Sequence, residues 1–210
     1  MRDVCTIYLV RHGHSEGNEK GIFGTDPELT DLGKQQAADL AKKLQNIHFD
    51  AVFASDKIRA QQTAKIVTLE RNIAVQVKEL LKEKDWGELE GKIQAKVKEE
   101  IGHLFEKSRK LPKNERAKYR VAPRVETEEE IIARFITGLR EIAVAYSGKT
   151  VLVVSHQYVI RVLLLHLGYL TDDTFFETGI SNSGYVKLES DGVDFFVKEA
   201  QGLIPENKWF

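Results

Sequence analysis

The chain has almost no sulfur chemistry at its disposal, since Cys5 is the single cysteine among 210 residues. One thiol excludes an intrachain disulfide and any cysteine-based metal cluster. Net charge is missing as well. With 31 Lys and Arg against 32 Asp and Glu the formal charge is −1, so no global field draws the chain to nucleic acid or a membrane surface. Long apolar runs are also absent: the longest candidate, Tyr158–Leu170, contains Arg161 and His166 and falls short of the roughly 18 residues a membrane span needs. No signal-peptide pattern, internal repeat or low-complexity linker interrupts the sequence. The expectation from these absences is a soluble protein of the reducing cytoplasm. An apolar share of 42% and a charged share of 30% are those of an ordinary globular chain. The length suits one domain, residues 1–210, carrying a sizeable insertion.

What is present is an alternation of strand and helix patterns. Thr6–Val10 reads as a buried strand, and the glycines at 13, 17, 21 and 24 make the next stretch a loop with room for a short helical turn. Thr30 or Asp31 caps a helix running to about Asn46. Ala51–Ala54 is a second strand, Ser55-Asp56 opens a helix through about Leu69, and Ile73–Val77 is a third strand. Thr127-Glu128-Glu129-Glu130 fits a capping box, with Ile131, Phe135, Leu139 and Ile142 behind it at helical spacing. Thr150–Val154 is a continuous β-branched run of the kind buried on both faces of a parallel sheet. Gln157–Leu167 reads as the next helix, and Tyr185–Glu189 and Val193–Lys198 flank Asp191-Gly192 as a hairpin. Strands alternating with helices predict an α/β fold, a three-layer sandwich with a mostly parallel central sheet and helices on both faces.

Residues 92–126 stand apart as a cap-like insertion, helical over Ile93–Phe105 and irregular after it. Gly102–Arg124 carries eight Lys and Arg, from Lys107 to Arg124, against Glu106 and Glu115. Two readings stay open for it: a solvated charged face, or a basic cap over an anionic ligand.

Three strands end in chemistry-bearing residues. Arg11 and His12 follow the first, Arg59 lies just past the second, and His156 follows Val154. Alone, Arg11-His12-Gly13 is equally a solvated loop or a site. If the strands are parallel neighbours, however, two arginines and two histidines meet at one sheet edge, where open α/β sheets bind ligands. Packing alone does not call for so much buried positive charge. Arginine forks match phosphoryl oxygens, and a neutral imidazole is a competent nucleophile for phosphoryl transfer in two steps. Zinc at His12 and His14 is the alternative, but two neighbouring arginines oppose a divalent cation. No metal and no other cofactor is expected.

The ordered motifs resemble the histidine phosphatase superfamily, which includes the cofactor-dependent phosphoglycerate mutases. Arg11-His12-Gly13 with Ser15 and Asn18 is similar to its opening motif. The likeness continues through Leu29-Thr30, Gly33, Gln36-Ala37, Ser55, Arg59-Ala60 and Gln62-Thr63-Ala64. It returns at Glu83, Trp86-Gly87, Glu90-Gly91, Glu126-Thr127, Arg134 and Val154-Ser155-His156. The resemblance implies that His12 is the phosphorylated nucleophile, that Arg11, Arg59 and His156 complete the phosphate pocket, and that Glu83 is the proton donor. It also implies substrate contacts by Asn18, with Ser15, Gly24 and Gln157 beside it. Read without the family, Lys82-Glu83-Lys84-Asp85 is a surface charge run. Two departures stand out. Gln157-Tyr158 follow His156 where members usually have glycine, and His14 replaces a frequent Glu or Gln.

The resemblance implies a small phosphorylated metabolite as ligand, and either a metal-independent phosphomonoesterase or a phosphoglycerate mutase. The mutases tend to be longer and to carry paired arginines in the middle insertion. This chain has no adjacent Arg-Arg there, although Arg116, Arg120 and Arg124 are candidates, and the phosphatase is favoured. A non-catalytic phosphate-binding protein is disfavoured because all the expected side chains are present. Nucleic-acid binding lacks interleaved aromatics. The terminal hairpin leaves a homodimer open, through an edge strand free to pair.

Overall fold

The computed structural model describes residues 3–205. In chain order the elements are β1 (Cys5–Arg11), α1 (Glu16–Lys20), α2 (Asp31–Lys43), β2 (Ala51–Ala54), α3 (Ile58–Val67) and β3 (Val75–Val77). Then come α4 (Gln94–Arg109), α5 (Lys113–Arg116), α6 (Glu128–Ala145), β4 (Thr150–Ser155), α7 (Gln157–His166), α8 (Asp172–Phe175), β5 (Thr178–Ser190) and β6 (Phe195–Pro205).

One six-stranded sheet runs in the order β3-β2-β4-β1-β5-β6. The first four are parallel neighbours, and β5 and β6 add an antiparallel hairpin to the far side of β1. Alternation along each strand divides the core into two. Ile7, Leu9, Val151 and Val153 face one way and pack with Ile131, Phe135 and Leu139 of α6 and Ile160 and Leu163 of α7. Tyr8, Val10, Leu152 and Val154 face the other way onto Ala37 and Leu40 of α2 and Ala60, Ala64 and Val67 of α3. Residues 151–154 are therefore wholly buried, which explains why that run is apolar at every position rather than at alternate ones. The expected three layers are present.

Several boundaries differ from the sequence expectation, each for a local reason. The helix expected from Ser55-Asp56 begins at Ile58, because the Ser55 backbone N–H still donates to Val154 in the sheet. The hairpin turn is not Asp191-Gly192 alone: Ser190 pairs with Phe195, leaving a four-residue loop. In it the Asp191 carboxylate accepts from the N–H groups of Val193 and Asp194. The capping box at Thr127 forms as expected, with Glu130 reaching back to the Thr127 N–H.

A third apolar cluster lies above the sheet edge. Phe23 from the loop after α1, Trp86 and Leu89, and Val97, Phe105, Val121 and Val125 from the inserted segment pack together. This cluster walls one side of the site.

Candidate active site

Register brings the chemistry together. Val154 is level with Val10 on one side and Ala54 on the other, so the carboxyl ends of β1, β4 and β2 lie side by side. The ladder runs one step further, the His12 N–H donating to Ser155 at 3.0 Å. Arg11 and His12 thus leave the sheet next to His156, and the first turn of α3 sets Arg59 against both.

Arg59 is the link. Its Nε donates to His12 Nε2 at 3.1 Å, and one terminal nitrogen donates to His156 Nδ1 at 3.2 Å. The other reaches the Thr25 carbonyl at 2.9 Å, with Asp26 3.7 Å away. Because arginine only donates, both contacted ring nitrogens are acceptors, which assigns the tautomers. His12 carries its proton on Nδ1 and gives it to the Gly13 carbonyl at 2.6 Å. His156 carries its proton on Nε2, 2.8 Å from Ser55 Oγ, and that hydroxyl donates on to Asp56. The two rings are 5.1 Å apart. Burial first, and then the charges of Arg59 and its neighbours, hold both imidazoles well below their ordinary pKa. Each is a neutral ring at neutral pH, and His12 turns a lone pair on Nε2 toward the guanidinium.

The His12–Gly13 peptide is clamped from two elements. Asn182, in the bulged part of β5, donates to the His12 carbonyl at 3.1 Å. The Gly13 N–H donates to Thr63 Oγ1 on α3 at 3.0 Å, and that hydroxyl donates to the Arg59 carbonyl. A Cβ at position 13 would sit 2.5 Å from the Gly33 carbonyl oxygen, so only glycine lets α2 approach this turn. Arg11 reaches back to the Ile180 carbonyl in the same bulge.

Glu83 stands across the cavity. It is half-buried, and desolvation raises its pKa above the ordinary carboxylate value, against the pull of the Lys84 N–H and of Arg59. Its loop is held by Arg134 of α6, which donates to the carbonyls of Leu80, Lys82 and Glu83 and pairs through two nitrogens with Glu126. Glu126 in turn accepts from the Asp85 N–H. The likeness noted at Glu126-Thr127 and Arg134 thus marks the brace behind Glu83.

A cavity of about 380 Å³ joins these groups, with Arg11, His12, Ser15, Asn18, Gly24, Arg59, Glu83 and Gln157 on its wall. Of the nine residues expected at the site, His156 alone is not on that wall. It is fully buried and meets the cavity through Arg59 and the His12 ring. Asn18 Oδ1 accepts from the Ser15 N–H and hydroxyl, leaving its amide nitrogen as the donor. Gly24 has φ of +67°, a left-handed conformation that favours glycine. His14 does not reach the cavity; its Nδ1 lies 3.0 Å from Thr30 Oγ1 and its N–H donates to Gln36. The pair His12 and His14 therefore does not converge.

The solvated reading fits most of the basic segment, since Lys107, Lys110, Lys113, Lys118, Arg120 and Arg124 are exposed. None of residues 102–124 lines this cavity. Arg116 is buried and pairs with Glu128 and Asp172, Arg120 pairs with Glu130, and Lys118 lies near Glu129. Their charges fasten the insertion to the N-terminus of α6 and to α8. Lys84 and Asn182 were not singled out from sequence, and Thr63 stood only within the Gln62-Thr63-Ala64 likeness, with no role given to it. Lys84 was hidden in what reads as a surface charge run, and Asn182 acts on a main-chain carbonyl that sequence does not show.

The model of the histidine phosphatase superfamily (branch 1) matches residues 7–201. The chain is 34% identical over 181 residues to a 2,3-bisphosphoglycerate-dependent phosphoglycerate mutase of Methylocella silvestris, covering 80% of this chain and 84% of that one. It is 30% identical over 169 residues to an uncharacterized phosphatase, PhoE, of Bacillus subtilis, covering 80% and 78%. The phosphoglycerate mutase from Bacillus anthracis superposes with a TM-score of 0.82 over 96% of this chain and 94% of its own, at 24% identity, a likeness of fold. The site geometry, the family match and these relatives agree: the chain belongs to the histidine phosphatase superfamily, branch 1, and is an enzyme of that superfamily.

Proposed function

We propose that the chain is a metal-independent phosphomonoesterase that hydrolyses a small phosphorylated metabolite through a phosphohistidine at His12. The observation that carries this reading is the bridge from Arg59 to Nε2 of His12. A neutral imidazole tied down through Nδ1 presents Nε2 as its nucleophilic atom, with a guanidinium alongside to take the oxygens of the transferring group. In the first step Nε2 attacks phosphorus, and the bond to the ester oxygen breaks in line. Arg11 and Arg59 stabilise the equatorial oxygens. Asn18 supplies a further amide donor, and Ser15, Gly24 and Gln157 shape the substrate wall. His156 holds Arg59 in place and keeps a second neutral ring beside the first. Glu83 protonates the departing alkoxide, then as carboxylate takes a proton from water, which attacks the phosphohistidine and releases phosphate.

Hydrolysis is preferred over transfer back to a bound acid because, of the three candidate cations for gripping a carboxylate, Arg116 and Arg120 are engaged with Glu128, Asp172 and Glu130 and Arg124 does not line the cavity. The mutase reading is kept by relatives named as phosphoglycerate mutases, the Methylocella silvestris protein among them. We read residues 92–126 as a wall-forming insertion within one domain. The test is turnover of a panel of phosphorylated metabolites beside 3-phosphoglycerate mutase activity with its bisphosphate primer. Phosphate release without isomerisation supports the proposal, and isomerisation outpacing release overturns it.

A further inference from the structure

Lys84 directly follows Glu83, yet its side chain is unlike its charged neighbours. It is 8% exposed, and Nζ lies 4.5 Å from the centroid of the Trp86 ring and 4.6 Å from that of Tyr158. All three residues line the same cavity as Arg11, His12 and Arg59. Nζ forms no hydrogen bond or ion pair with any described residue; Glu128, Glu126 and Glu83 act on it only through space. A lysine nitrogen has three donor positions, and with none of them taken by a described residue Nζ is open to a group bound in the cavity.

We propose that Lys84 is a covalent modification site for phosphorylated aldehydes, which dock their phosphoryl group at the Arg11–Arg59 corner and condense their carbonyl with Nζ. The docking half rests on the phosphate-pocket reading above; the lysine half does not. In the reaction the lone pair of the neutral amine attacks the aldehyde carbon. The carbonyl oxygen takes up the two amine protons and leaves as water, and a carbon–nitrogen double bond remains, with no oxidant or reductant consumed. The carboxylates of Glu128, Glu126 and Glu83 favour the ammonium, but desolvation outweighs them and brings Lys84 down to about 8. Free amine is then present near neutral pH, where a solvated lysine is almost wholly protonated. Phe23 packs on Trp86 with ring centroids 4.3 Å apart. Together with Tyr158 these flat walls suit a planar aldehyde such as a pyridine or benzene ring, and the cavity is of small-molecule size. Lys57 and Lys82 line the same cavity without an aromatic enclosure, which makes them internal comparators.

The experiment is brief incubation of the whole protein with pyridoxal 5′-phosphate, borohydride reduction and peptide mapping. Lys84 is expected to carry the reduced adduct at about tenfold or more over Lys57 and Lys82. Excess inorganic phosphate should suppress it, pyridoxal without its phosphate should label it poorly, and Lys84→Arg should remove it. Labelling spread over surface lysines with no enrichment at Lys84, in protein that still hydrolyses an aryl phosphate, overturns the proposal alone. Equal labelling of Lys84 by pyridoxal and its phosphate, unaffected by inorganic phosphate, overturns it together with the phosphate-pocket reading.

Discussion

Asn182 Nδ2 donates to the carbonyl oxygen of His12 at 3.1 Å, across 170 positions of sequence. The contact fixes one side of the His12–Gly13 peptide, Thr63 fixes the other, and the Gly13 carbonyl that follows sets the His12 tautomer. Asn182→Ala leaves that carbonyl only the longer contact from the Ser183 N–H, at 3.4 Å. Its kcat on an aryl phosphate is expected to fall about 10- to 100-fold, the scale of a small misplacement of a reacting group, with KM changing far less. Steady-state kinetics check this, and an equal change in both constants would remove Asn182 from a positioning role.

Glu83→Gln removes the proposed proton donor without changing shape. Loss on alkyl phosphates is expected at roughly 10²–10⁴, the usual contribution of a general acid, with little loss on an aryl ester whose leaving group needs no proton. The pH dependence follows from the same groups. Glu83 donates only when protonated, and burial raises its pKa. Alkyl ester turnover should therefore fall as pH rises through that raised value, while the aryl ester lacks this limb. As the proposed nucleophile His12 acts only when neutral, and its lowered pKa keeps it so until well below 6.5. Equal losses on both ester types in Glu83→Gln would take Glu83 out of the acid role.

Arg134 and Glu126 form a pair whose side chains are 13% and 10% exposed. Removing one partner of such a pair costs about 3–5 kcal/mol, so Arg134→Met should lower the melting temperature. Since it also releases the Glu83 loop, alkyl phosphates should suffer more than aryl ones beyond any loss of folded protein. An unchanged alkyl-to-aryl ratio would mean that Arg134 acts on stability alone.

Arg116→Met separates the two enzymatic readings. Arg116 is buried against Glu128 and Asp172 and does not line the cavity. The variant should be less stable by a similar 3–5 kcal/mol, with kcat/KM for an aryl phosphate per folded molecule nearly unchanged. Selective loss of activity toward a carboxylate-bearing phosphoester would instead place Arg116 at the substrate.

The layers were legible because burial leaves a pattern. Residues 151–154 of strand β4 are apolar at every position since both faces are covered, and the helix behind Thr127 repeats its apolar residues at helical spacing. The corner of Arg11, His12, Arg59 and His156 was legible because strand ends announce themselves when an apolar run stops at a charged residue. Two things were not. Strand β5 begins at Thr178, seven residues before the expected Tyr185, because Gly179-Ile180-Ser181-Asn182-Ser183-Gly184 has loop composition. Its bulge serves Arg11 and His12 rather than the sheet. Lys84 sits in a run of alternating charges that reads as solvated, and only the rings of Trp86 and Tyr158, the latter from α7, enclose it. Contacts between distant elements set both outcomes, and neither leaves a local signature.

The most direct measurement is rapid acid-free quench of the enzyme with phosphorus-labelled aryl phosphate, followed by peptide mapping. The expected result is an acid-labile phosphoryl group on Nε2 of His12, formed within the turnover time and absent from His12→Ala, which should also fail to turn over. Sustained turnover by His12→Ala, or label on any other residue in the wild-type chain, would contradict the nucleophile assignment on which the account rests.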